Sequence, residues 1–66
     1  MGEILNVTEL ASLLKMSRTQ IYELCRERVR SRMESPLPML KINGNLRFSK
    51  SAIEAWLREL QEGSVQ

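Results

Sequence analysis

Apolar residues along this chain fall into three helical stripes and one alternating stretch. Val7, Leu10, Ala11 and Leu14 recur at i, i+3, i+4 and i+7, with Leu13 widening the face, and predict a first amphipathic helix. Ile21, Leu24 and Cys25 form a shorter stripe and predict a second, while Ile53, Trp56, Leu57 and Leu60 repeat the first spacing and predict a last helix with Trp56 at the centre of the core. Between Met39 and Phe48 the period drops to two, around Asn43-Gly44-Asn45, which reads as a hairpin.

Each predicted helix has a start signal. Asn6 with Glu9, and Ser17 with Gln20, are capping boxes, and Ser49 can cap the last helix. Leu5 and Leu10, Met16 and Ile21, and Phe48 and Ile53 are placed to act as hydrophobic staples across these starts. Only Lys15 and Met16 separate Leu14 from the Ser17 cap, so the first two helices must cross steeply. No glycine occupies that turn, and Lys15 is expected to take the left-handed conformation there.

The second helix should end between Glu27 and Met33, with fraying or a bend near Arg28, because a straight continuation would aim Arg28 at the Ile21 and Cys25 stripe. Ser31 to Pro38, with its Ser-Pro and Leu-Pro steps, reads as an irregular linker with mobility of its own. For the hairpin, a two-residue loop would pair Lys41 with Leu46 and mix charged and apolar residues on one face. A three-residue loop pairs Ile42 with Leu46 and Leu40 with Phe48, turning all four inward, and is the expected one, with Gly44 or Asn45 left-handed. It would leave Lys41 and Arg47 together on the outer face. Met1 to Leu5 reads as a loose arm that ends in a packed pair of aliphatics, Glu62-Gly63 as the stop of the last helix, and 63–66 as a flexible tail.

The expected architecture is a single domain over residues 1–66, with its core about 4–61. It is mainly α with a β-hairpin: a winged helix-turn-helix made of a helix-turn-helix, a two-stranded wing and a C-terminal helix.

Composition narrows the function. Sixty-six residues suffice for one small core. One cysteine excludes an internal disulfide, and the absence of histidine and aspartate leaves a zinc site or a catalytic triad almost without ligands. No cofactor, no metal and no enzymatic activity is therefore expected. No apolar run of membrane-spanning length and no secretory signal is present, which suits a cytoplasmic, nucleoid-associated protein with no membrane partner. Between Lys15 and Lys50 there are nine basic residues against three acidic ones, whereas the flanks hold one Arg and five Glu. A cationic centre between acidic ends suits a polyanion touched by the middle of the chain, and a solvated, salt-bridged surface would show the same counts.

The front of the second helix carries Thr19, Glu23, Arg26 and Arg30 opposite its apolar stripe, with Tyr22 at the border. That composition fits a helix lying in the major groove of double-stranded DNA. Arg18 and Arg26 can make bidentate contacts to guanine, Thr19 can meet a thymine methyl or a phosphate, Tyr22 suits a phosphate, and Glu23 can accept from a cytosine amine. The helix start at Ser17 can hold a phosphate. Lys41 and Arg47, with Asn43 and Asn45 at the wing tip, are candidates for phosphates or the minor groove. Pairing of Glu23 with Arg26 on the surface is the ordinary structural alternative.

The run ILNVTELASLLKMSRTQIYELC, then Leu37-Pro38, then LKINGNLRFSKSAIEAWL resembles the small excisionase-type DNA-binding domains, relatives of the amino-terminal domain of MerR regulators. The similarity covers roughly Ile4 to Leu60. Two departures stand out: RERVRSRMESP is longer and more basic than the usual connection to Leu-Pro, and Asn43-Gly44-Asn45 replaces paired glycines in the wing. The resemblance implies an excisionase, with an integrase as partner, or a small MerR-like transcription regulator. With no coiled coil after the last helix, several copies are expected to bind side by side on direct repeats and to bend the DNA. The alternative is a protein-interaction adaptor using the surface of the second helix.

Overall fold

A computed structural model describes residues 3–64. Its elements are β1 (Ile4–Leu5), α1 (Val7–Leu14), α2 (Arg18–Leu24), α3 (Glu27–Arg30), β2 (Leu40–Ile42), β3 (Asn45–Ser49) and α4 (Lys50–Ser64). The winged helix-turn-helix is present, but its sheet has three antiparallel strands in the order β1-β3-β2 instead of two.

The third strand comes from the segment expected to be a loose arm. Ile4 pairs with Ser49 and Leu5 with Phe48. The Lys50 N–H then donates to the Glu3 carbonyl at 2.8 Å, so one of the orphan donors of α4 holds the arm down. Met1 and Gly2, the rest of that arm, lie outside the described residues, as do residues 65 and 66 of the expected tail. At the other end α4 runs through Gly63 to Ser64, past the expected stop.

The caps form as the sequence requires. The Asn6 side chain accepts from the Glu9 N–H at 2.8 Å while the Glu9 carboxylate accepts from the Asn6 N–H at 2.9 Å. Ser17 and Gln20 make the same reciprocal pair at 3.1 and 2.9 Å. Lys15 is left-handed, at φ 56° and ψ 46°. Its N–H donates to the Ser12 carbonyl and that of Met16 to Ala11, which is the Schellman pattern of helix termination. Met16 also packs against the core that contains Ala11, sealing the turn with an apolar contact.

Leu5, Val7, Leu10, Ala11, Ile21, Leu37, Phe48, Ile53 and Trp56 form the core. The inner face of the sheet, carrying Leu5, Leu46 and Phe48, meets α1 and α4. Leu10, Ile21, Leu37, Phe48 and Ile53 are fully buried, so these and not Trp56 are the centre. Trp56 lies at the margin, where its indole N–H donates to the Ser35 carbonyl at 2.7 Å. That bond, the burial of Leu37 and a hydrogen bond from the Arg30 guanidinium to the Leu37 carbonyl tie down the linker expected to be mobile. Leu13, Leu57 and Leu60, read as core-facing, are exposed.

Candidate nucleic-acid interface

The helix-turn-helix unit fixes the outward face of α2. Ile21 on its inner side is fully buried, and Arg18, Thr19, Gln20, Tyr22 and Glu23 are exposed. Ser17 is engaged in the cap with both its side chain and its N–H. Arg18, Thr19, Tyr22 and Glu23 thus share the presentation expected of them.

Arg26 still sits at the end of that face, and Arg30 does not continue it. α2 stops at Leu24, and Arg26 is extended at φ −73° and ψ 139° before the chain restarts as α3. The break lies just ahead of Arg28, and it leaves Arg28 exposed in solvent. This is the bend expected near Arg28, with α2 itself ending ahead of the expected Glu27 to Met33, and it removes Arg30 from the wheel that grouped it with Thr19. Arg26 pairs with Glu23 at 3.0 Å on the open surface, which keeps it beside the outward residues of α2. An exposed pair of this kind contributes at most about 1 kcal/mol, so DNA can compete for either partner. Arg30 is half-buried, bonded to the Leu37 carbonyl, and acts as a strut between α3 and the linker.

Cys25 ends α2 and is partly buried against the core. Burial pushes its thiol above the ordinary value of 9.0, and the Arg30 guanidinium pulls in the opposite direction.

The wing differs from the expected register. Leu40 pairs with Arg47, Lys41 with Leu46 and Ile42 with Asn45, which makes the two-residue loop Asn43-Gly44. Both loop residues have positive φ, 52° for Asn43 and 80° for Gly44, as a type I′ turn needs. Turn chemistry therefore prevailed over hydrophobic alternation. β1 removes the conflict on the inner side, because Leu5 supplies the apolar partner that Phe48 would otherwise have sought on β2. One consequence is that Lys41 and Arg47 point to opposite faces of the hairpin, against expectation. Arg47 is half-buried and donates to the Leu46 carbonyl at 2.7 Å, while Asn43 and Asn45 are exposed at the tip.

A groove of about 400 Å³ opens between the start of α1, Tyr22 of α2 and the wing. It brings Tyr22, Asn45 and Arg47 together and adds Thr8 and Asn6, the latter expected only as a helix cap. The helical wheel turns Thr8 outward. Only the packing of the wing beside α1 places it in one groove with Arg47, so no local signal would have found it. Phenol and Thr hydroxyls, an Asn amide and a guanidinium lining one open groove offer hydrogen-bond donors to an anionic oxygen. Lys41, Arg18 and Thr19 are not among its lining residues, the last two being on the first turn of the helix that supplies Tyr22.

Among the described residues no helix is long and apolar enough to cross a membrane, and no group of three or more Cys, Asp or Glu side chains could hold a metal ion.

The model of a family described as "Helix-turn-helix domain" matches residues 4–61. No curated protein and no solved structure matches the chain.

Proposed function

The chain belongs to the helix-turn-helix domain family, small DNA-binding domains that include excisionase-type members, and from that premise we propose that it recognises particular double-stranded DNA sequences as an excisionase or a small MerR-like transcription regulator. The outward face of α2, with Arg18, Thr19, Tyr22 and Glu23, reads base edges in the major groove. Asn43, Asn45 and Arg47 of the wing reach the adjacent backbone and minor groove, and phosphate contacts supply most of the affinity. Several copies bind adjacent sites and bend the DNA, and in the excisionase use an integrase is bound to the same DNA. The observation that supports this best is the polar groove in which the recognition helix and the wing meet, since it links the two elements that must follow one DNA backbone.

The test is a fluorescence anisotropy titration, first with a randomised duplex pool and then with an enriched site, at several salt concentrations. Affinity should fall steeply with salt, by a log–log slope of about 0.9 for each phosphate contacted, while the preference for the enriched site remains. Arg18→Ala should relax that preference, whereas Arg47→Ala should weaken binding to all sequences and lower the slope by about one. No binding at low salt would favour the protein-adaptor reading. A one-to-one, non-cooperative isotherm on multi-site DNA would remove the cooperation between copies.

A further inference from the structure

We propose that Leu40 and Ile42 form an apolar prow on the wing that presses into the minor groove of bound DNA and produces its bend. This deepens the function proposed above and rests on it.

The observed register places both side chains on the outer face of the sheet, where they are 44% and 47% exposed. Two aliphatics one residue apart on the same exposed face gain stability only when something covers them. Their cross-strand partners indicate what that is. Leu40 stands opposite Arg47 and Ile42 opposite Asn45, and those two partners line the groove shared with Tyr22. The apolar pair is thus continuous with the surface that meets DNA.

Charge points the same way. The hairpin from Leu40 to Ser49 carries Lys41 and Arg47 and no acidic residue, so its surroundings attract a polyanion. The walls of the minor groove are deoxyribose carbons, and apolar side chains inserted there partly unstack base steps and bend the duplex toward the major groove. Ile42 directly precedes the turn and would reach furthest. The wing is braced for this load because β3 is held between β1 and β2 and the loop is the tight two-residue kind.

The experiment uses a short duplex with one enriched site and a donor and an acceptor dye on its ends. Wild-type protein should raise energy transfer on binding. Ile42→Ser should abolish most of that rise and weaken single-site binding about tenfold, from the apolar area no longer covered. Its salt slope should not change, because no charge is removed. Leu40→Ser should do the same to a smaller extent. Ile42→Thr, which keeps the β-branch and so the strand, should also lose bending if circular dichroism shows the serine variant to be misfolded. Equal bending by wild type and the folded variants, or binding by wild type without bending, would overturn the proposal. So would a loss confined to multi-site DNA, which would assign the face to a second copy. Absence of any wild-type DNA binding would instead refute the function proposed above.

Discussion

Replacing Leu37 by alanine tests whether the segment between α3 and β2 is part of the folded core or a tether. Leu37 is fully buried and clusters with Ile21, Phe48 and Trp56. The segment has two further ties, the bond from Arg30 to the Leu37 carbonyl and that from the Trp56 indole to the Ser35 carbonyl. Removing a fully buried leucine side chain typically costs about 2–5 kcal/mol through lost transfer energy and the remaining cavity. The two flanking prolines, Pro36 and Pro38, restrict how far the backbone can collapse into the space. That argues for the middle of the range, about 3 kcal/mol. A domain of this size has roughly 3–10 kcal/mol in all, so the variant should sit close to its unfolding threshold. Tm should fall by about 12–24 °C at some 4–8 °C per kcal/mol. Urea and thermal unfolding followed by far-ultraviolet circular dichroism measure this directly. Trp56, the single tryptophan, gives a second readout from beside the segment. A change below about 0.5 kcal/mol, the size usual for surface positions, would show that the segment is not packed and would refute the reasoning.

Two further outcomes follow from strain and burial. Lys15→Gly relieves the left-handed backbone of the turn between α1 and α2 and should stabilise the protein by about 1 kcal/mol, read as a rise in Tm; no gain would mean that the Schellman contacts already absorb the strain. The folded state raises the thiol pKa of Cys25, so its contribution to stability is fully present below the ordinary value of 9.0 and is lost as pH rises through the higher folded value. Urea midpoints should therefore decline on the alkaline side in wild type and less so in Cys25→Ala, and equal declines would refute the assignment.

The helix-turn-helix unit was legible because its signals are local. Two capping boxes and a glycine-free turn name their partners within five residues and formed as read, and the staple residues Leu5, Leu10 and Ile21 are in the core with Met16 packed against it. The wing was legible in place but not in register. Asn43-Gly44 announces the two-residue turn in its own chemistry, yet the alternation of Leu40, Ile42, Leu46 and Phe48 argues for the other. Turn chemistry won, and β1, paired with β3 from far away in the chain, gives Phe48 the apolar partner that no local pattern reveals. The linker was misread for a similar reason. Its prolines do exclude regular structure, but Leu37 between them is a core residue. On the surface, Arg18, Thr19, Tyr22 and Glu23 were placed correctly by helical periodicity. Arg26 remains beside Glu23, but Arg30 does not, because periodicity assumes one continuous helix and this one breaks before α3.

The pairing of Ile4–Leu5 with β3 also bears on the order in which the protein assembles. The helix-turn-helix and the hairpin close over short distances in the chain and can form early. Joining β1 to β3 must close a loop of about forty residues, at an entropic cost that grows only with the logarithm of its length. That step belongs late on the pathway, so weakening Leu5 should mainly hasten unfolding and leave the folding rate nearly unchanged. The front strand acts as a latch on the wing: its late pairing with β3 ties the hairpin to the segment that leads into α1.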